Sequence, residues 1–170
     1  HAAMATTHTV RDKVEAVRLL HMPHVSVQTV LPWYNNATVL DLLAQRAQAA
    51  ITDDTDAVVL SYHGVPVRHL KKMDPTGRHC VGTDACCRTP SSAHATCYRH
   101  QCLMMTDGIA ERLTMDRSRV HMTFQSRFGP DKWLTPATDD HVGQLAESGG
   151  RRRVLMSPAF VAECLETLED

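Results

Sequence analysis

The chain has 170 residues, of which 43% are hydrophobic and 22% charged, with a formal net charge of −1. That length and mixture suit one well-packed soluble domain. The near-neutral balance excludes the basic stripe of a general nucleic-acid binder, and no apolar run approaches the roughly 20 residues that span a bilayer.

His1-Ala2-Ala3-Met4 reads as the middle of a gene product, and Leu165-Glu166-Thr167-Leu168-Glu169-Asp170 stops inside a helical pattern. A portion of a larger protein is therefore expected. Val10, Val14, Val17 and Leu20 recur at helical spacing, so Val10 to His21 is a helix. His24 to Val30 alternates and is rich in Val, which predicts a strand. Pro32 interrupts, and Trp33 to Asn36 is a loop. Thr38 to Ile51 is a second helix, with Leu40, Leu43 and Ala47 inward. Ala57 to Tyr62 is a short continuous apolar run, as in a buried parallel strand, and His63-Gly64-Val65-Pro66 ends it.

Lys71 to Thr96 holds Pro, Gly, Ser, Asp and Cys with little periodicity. A structureless loop of that length does not suit a compact domain, so something must fold it. Tyr98 to Leu113 is helical, and Arg119 to Phe124 is a strand ending at Gln125-Ser126-Arg127. Thr138 is placed to N-cap a helix running to about Glu147, with Asp139 and Asp140 in its first turn. Gly149-Gly150 ends it. Arg153 to Met156 is a further strand, followed by Ser157-Pro158 and a helix from about Val161. This alternation predicts an α/β fold, a parallel sheet with helices on both faces. Ligands of such sheets bind at the carboxyl ends of the strands. His63, Gln125-Ser126-Arg127 and the Glu166 helix all fall there.

The chain carries 11 His and 6 Cys, and five of the cysteines lie between Cys80 and Cys102. A tight cluster in an α/β sequence reads as a metal or iron–sulfur site rather than a disulfide scaffold. Four thiolates hold a 2Fe–2S cluster or a zinc ion. Cys80, Cys86, Cys87, Cys97 and Cys102 offer five candidates for four places. Cys97 and Cys102, near the start of a helix, are candidates to share a face. Cys164 reads as a small buried residue.

An imidazole at His63 can take protons near neutral pH or bind a transition metal. A carboxylate at Glu166 can pair with it across a cleft, as a second ligand or a proton acceptor. Spacing alone does not lift either residue above the ordinary reading, a hydrogen-bonded histidine and a solvated glutamate. Trp33, Tyr34, Trp133 and Phe128 are candidate flat apolar walls. Arg151-Arg152-Arg153 reads as a solvated turn.

Three ordered blocks resemble the ferrochelatase family. Ser61-Tyr62-His63-Gly64-Val65-Pro66 is similar to the strand-end motif that carries the family's active-site histidine. Thr123 to Gly129, with Trp133-Leu134-Thr135-Pro136 and Thr138-Asp139, resembles the second block. Pro158 to Glu169 resembles the third. The resemblance runs from about Thr7 to Asp170.

It implies the chelatase-like fold, two similar α/β domains around a cleft. Residues 1–23 would be the tail of the first domain, and residues 24–170 the second, with a cysteine-rich insertion at about 76–102. It implies insertion of Fe2+ into protoporphyrin IX, with release of two protons, to form protohaem. His63 and Glu166 would be the catalytic and metal-holding pair, Asp170 an extension of the carboxylate path, and Tyr34 and Trp133 porphyrin contacts. The insertion after Asp74-Pro75 resembles that of a bacterial subgroup with an internal 2Fe–2S cluster. Cys80, Cys87, Cys97 and Cys102 are the expected ligands, with Cys86 as substitute. A cytoplasmic location is implied, with any contact to the inner membrane peripheral. Competing readings are a chelatase for cobalt or for coproporphyrin, and a non-catalytic iron–sulfur or haem-binding fragment.

Overall fold

The structure is a computed structural model that describes residues 4–28, 30, 32–83, 85–160, 162, 164 and 167. Its elements in chain order are α1 (Met4–His21), α2 (Ala37–Ala50), β1 (Thr55–His63), α3 (Val67–Met73), α4 (Tyr98–Ala110), β2 (Val120–Gln125), α5 (Thr138–Glu147) and β3 (Arg152–Met156). Short 3-10 turns cover Ser92–Ala95 and Arg117–Arg119.

The three strands form one parallel sheet in the order β2-β1-β3. The chain leaves β1 for β2 through α4, then returns past β1 to β3 through α5. Strand order thus reverses around β1, the kind of place where open α/β sheets receive ligands. Val58, Leu60 and Tyr62 of β1 face one way and are fully buried. On that face the Tyr62 hydroxyl lies 3.0 Å from Thr106 Oγ1 of α4. Ser61 faces the other way, 2.8 Å from Thr138 Oγ1 at the start of α5. The period-2 alternation of a strand therefore turns Val58, Leu60 and Tyr62 to one face and Ala57, Val59 and Ser61 to the other, and both sets are buried.

α2 packs on α4 and buries Leu40, Ala44 and Ala47, while Leu43 is half-buried. Asn36 caps α2 by accepting the Val39 N–H at 3.2 Å. The Arg112 guanidinium reaches Asp41 at 2.6 Å and joins the outer edges of the two helices.

Three sequence expectations are corrected. Among the described residues of 24–30 no strand forms, although the alternation is present. A strand needs a neighbour for its ladder, and neither free edge of the sheet receives this segment, whose Val30 is 81% exposed. Among the described residues the sheet therefore has three strands where four were expected. α3 went unanticipated because seven residues are too few for a 3.6-residue period to show. Thr138 does not cap α5: Ala137 occupies the N-cap position, and the Thr138 hydroxyl donates to Thr123 Oγ1 at 2.9 Å. α1 has the expected spacing, but Val10, Val14, Val17 and Leu20 are exposed in this chain. The helix expected from Val161 lies largely outside the described residues.

Candidate functional site

β1 and β2 run in register to their carboxyl ends, where His63 stands beside Gln125. The Gly64 N–H donates to the Gln125 carbonyl at 2.8 Å and turns the chain off the sheet. A Cβ on Gly64 would lie 2.7 Å from that carbonyl oxygen and 3.3 Å from Trp133 Cε3. Only glycine fits this approach, so the residue after His63 is set by backbone contact.

The His63 Nδ1 is buried and, among the described residues, has no hydrogen-bond partner. Phe160 lies edge-on to its ring at a centroid distance of 6.3 Å. The Tyr98 hydroxyl donates to the His63 carbonyl at 2.9 Å. The same hydroxyl also interacts with the Cys102 sulfur, a contact that lowers the thiol and raises the phenol. Burial pushes the Tyr98 phenol far above its ordinary range, so it remains a proton-bearing donor.

A cleft of about 520 Å³ opens at the carboxyl ends of the strands, lined in part by Ser61, Gln125, Arg127, Asp139 and Ser157, and His63 is not among its lining residues. Ser61 donates to Gln125 Oε1 at 2.5 Å, and Ser157 does so at 3.3 Å. The Gln125 side chain is thereby held from two strands. Ser126 adopts a left-handed φ of 65°, and Arg127 then forks onto Asp139 at 2.7 Å and Asp140 at 3.0 Å. These two carboxylates hold the Arg127 guanidinium above its usual pKa.

Trp133 is brought to the His63-Gly64 turn, and its indole N–H donates to the Phe128 carbonyl at 3.1 Å. Tyr34 is placed against the cysteine segment, edge-on to His100 at 6.4 Å. Glu166 and Asp170 lie outside the described residues.

The cysteine segment is folded by its own polar groups. The Asp74 carboxylate accepts the backbone N–H groups of Thr76 at 2.8 Å, and of His79 and Cys80 at 2.7 Å. It also accepts the Thr76 hydroxyl at 2.7 Å. These donors, led by the Cys80 N–H, hold its pKa well below the usual carboxylate range. The local signal for this role is Asp74-Pro75-Thr76-Gly77, an Asx turn whose Asp reaches forward. Farther along, the Arg88 and Arg117 guanidiniums both clamp Asp107 of α4, at 2.8 and 2.6 Å.

Four thiols gather at the start of α4. Cys80, Cys86, Cys87 and Cys97 are all buried. Cys80 and Cys87 both hydrogen-bond to the Cys97 sulfur, and the Cys86 and Cys87 sulfurs are 4.0 Å apart. Arg99 points a guanidinium nitrogen at Cys86 Sγ from 3.8 Å. Cys97 is the N-cap residue of α4, with the backbone N–H groups of Arg99 and His100 facing its sulfur without closing a formal cap. Donation from Cys87, and then these N–H groups, lower the Cys97 thiol to about 6 against the opposing effect of burial. Burial and the adjacent Cys97 push Cys80 up to about 12. Giving its proton to Cys97 raises Cys87 far higher. Among the described residues, no set of three or more His, Cys, Asp or Glu side chains is drawn to metal-binding geometry. The Cys80 and Cys87 thiols instead keep their protons and hydrogen-bond to Cys97, the member of the group most disposed to ionise. Cys102 stands apart from it, fully buried in the core and bonded to Tyr98.

Comparison with known proteins decides the family. The family model described as Ferrochelatase matches residues 1–170. The chain belongs to the ferrochelatase family. It is 41% identical over 169 residues to a ferrochelatase of Pseudomonas fluorescens (strain Pf0-1), covering 99% of this chain and 50% of that protein. A ferrochelatase of Azotobacter vinelandii is 39% identical over 169 residues, with the same coverage. One of Opitutus terrae is 39% identical over 170 residues, covering all of this chain and 49% of that protein. The chain therefore spans about half the length of the ferrochelatases it matches. No helix among the described residues is long and apolar enough to cross a membrane.

Proposed function

We propose that the full-length protein inserts Fe2+ into protoporphyrin IX, releases two protons and so makes protohaem. This chain would supply the tail of one domain, residues 1–23, and the second domain, residues 24–170, with its insertion at about 76–102. The observation that carries the reading is the buried Nδ1 of His63, without a hydrogen-bond partner among the described residues, at the carboxyl end of the middle strand. Buried polar atoms are ordinarily paired, so such a nitrogen is a seat for a proton or a metal ion.

A planar porphyrin hides its nitrogen lone pairs and must be bent for iron to enter. Contacts elsewhere on the ring supply that distortion energy. In this reading the indole of Trp133, beside Gly64, is a ring contact, and Tyr34 is a more distant one. His63 takes pyrrole protons or holds the incoming Fe2+. Glu166 assists from the facing wall, and Asp170 extends the carboxylate path. Gln125, fixed by Ser61 and Ser157, borders the cleft at the carboxyl ends of the strands. The test is His63→Ala in the full-length protein, with iron insertion followed by porphyrin fluorescence. A loss of at least about a hundredfold is expected; a near-normal rate would sink the assignment.

The thiols offer the donor chemistry of a 2Fe–2S cluster, soft buried sulfurs with Cys97 biased toward thiolate, while among the described residues they are not drawn to metal-binding geometry. Cys80, Cys87 and Cys97 would hold it, and the fourth place falls to Cys86, since the Cys102 thiol is committed to Tyr98. When bound, the cluster would cross-link the insertion to the start of α4. A coloured, anaerobically purified protein with matching iron and sulfide is expected, whereas a colourless zinc protein would refute this. The location we propose is cytoplasmic, with any membrane contact peripheral; cell fractionation tests that.

A further inference from the structure

Tyr98 and Cys102 belong to neither the thiol pocket nor the cleft, yet together they reach the backbone of His63. They stand four residues apart on α4, so one face of the helix carries both. Both are buried, and the Cys102 sulfur contacts the Tyr98 hydroxyl. That hydroxyl donates to the His63 carbonyl at 2.9 Å. The N–H of the same peptide unit, supplied by Gly64, donates to the Gln125 carbonyl at 2.8 Å. The unit that follows His63 is thus pinned at both its polar atoms, one by α4 and the other by the end of β2. On its other side the sheet gives out early: β3 pairs with β1 only as far as Leu60 with Met156, three residues short of His63. Gly64 also lacks the Cβ that restrains a peptide unit elsewhere. The imidazole is not fixed through Nδ1, which has no hydrogen-bond partner among the described residues. Its direction is therefore set by its backbone and by packing such as that of Phe160 against the ring. A side chain placed at 98 for packing alone would need no hydroxyl, since Phe would fill the same space.

We propose that Tyr98, seated on Cys102, is a positioning residue for His63: its hydroxyl holds the peptide unit after the histidine and so aims the imidazole. The inference rests on the proposed role of His63 in iron insertion. Burial keeps the phenol protonated, so it has a hydrogen to give at any working pH. Without the hydroxyl the buried carbonyl loses a donor, and the His63-Gly64 peptide unit keeps only its anchor on β2. The unit can then rotate about its flanking bonds and carry the Cα–Cβ bond of His63 with it. A displacement of about 1 Å at an acting group costs on the order of a hundredfold in rate. The remaining bond to Gln125 limits the swing, so a loss of about tenfold is expected. Binding of the porphyrin draws on contacts elsewhere on the ring and should not change.

The experiment uses the full-length protein. Iron insertion gives kcat and KM for protoporphyrin IX, fluorescence gives porphyrin affinity, and far-ultraviolet circular dichroism with urea unfolding reports the fold. Tyr98→Phe keeps the ring and removes the hydroxyl. Expected is a kcat lowered about tenfold, with KM and porphyrin affinity within about twofold of wild type. In a His63→Ala background the same substitution should lower the residual rate no further, because no imidazole is left to position. A merely structural role would subtract equally from the rate in both backgrounds. Where Tyr98→Phe does not fold, Cys102→Ala, which leaves the hydroxyl but withdraws its seat, carries the same expectation: a lower kcat alone, and no further loss in the His63→Ala background. A kcat within about twofold of wild type, or an equal loss in both backgrounds, overturns the positioning role alone. A near-normal rate in His63→Ala overturns the proposed role of His63 and this inference with it.

Discussion

Gly64→Ala tests how the sheet end holds His63, the histidine proposed to act on the porphyrin. A Cβ at this position would stand 2.7 Å from the Gln125 carbonyl oxygen, where ordinary contact begins near 3.4 Å. The two backbones must therefore separate by about 0.7 Å, in an interior packed too tightly to absorb that freely. The same oxygen accepts the Gly64 N–H at 2.8 Å, so separation also stretches that hydrogen bond. Overpacking of this kind costs about 1–3 kcal/mol, and a weakened hydrogen bond adds up to about 1 kcal/mol. The displacement falls on the residue next to His63, so iron insertion should drop about 10- to 100-fold. Urea unfolding and initial rates of the full-length variant measure both effects. Gly143→Ala is the control: its Cβ meets open space in α5, and helix propensity should leave it neutral or slightly stabilised. A Gly64→Ala protein within about 0.5 kcal/mol of wild type and equally active would refute the reasoning.

On the cluster proposal, Cys86→Ser should abolish the visible absorption of the anaerobically purified protein, whereas Cys102→Ser should keep it and perturb only the core around Tyr98; the opposite result would return Cys102 to the proposed ligand set. Asp74→Asn should leave the sheet intact but speed proteolysis of the segment after Pro75 by about tenfold, because the amide nitrogen cannot accept as a carboxylate oxygen does. Asp107 is raised by burial but held lower overall by Arg88 and Arg117. A depressed carboxylate contributes stability above its unfolded value of about 3.9 and loses it as pH falls through the folded value. Acid unfolding followed from pH 6 downward should therefore show a smaller loss of stability below about pH 4 in Asp107→Asn than in wild type.

Much of the α/β order was legible because α2, α4, α5, β1 and β2 are long enough for periodicity to register. The segment 24–30 misled because alternation records the shape of a strand and not the presence of a neighbour. The pairing of Cys97 with Cys102 misled for a rotational reason. Five residues advance a helix by about 500°, so the two side chains leave α4 in different directions. His63 was found through its flanking motif, and its orphan nitrogen is a fact of three-dimensional packing.

The contact of Tyr98 with the His63 carbonyl also marks where the insertion could be cut out. Cys97 belongs to the thiol pocket, and the next residue belongs to the strand end that carries the histidine. An excision rejoined just before Tyr98 would spare the hydroxyl that holds β1, while one a single residue longer would remove it. The boundary between the thiol-bearing segment and the strand end is thus one peptide bond wide, and a shortened protein spliced on its correct side should retain the geometry of His63.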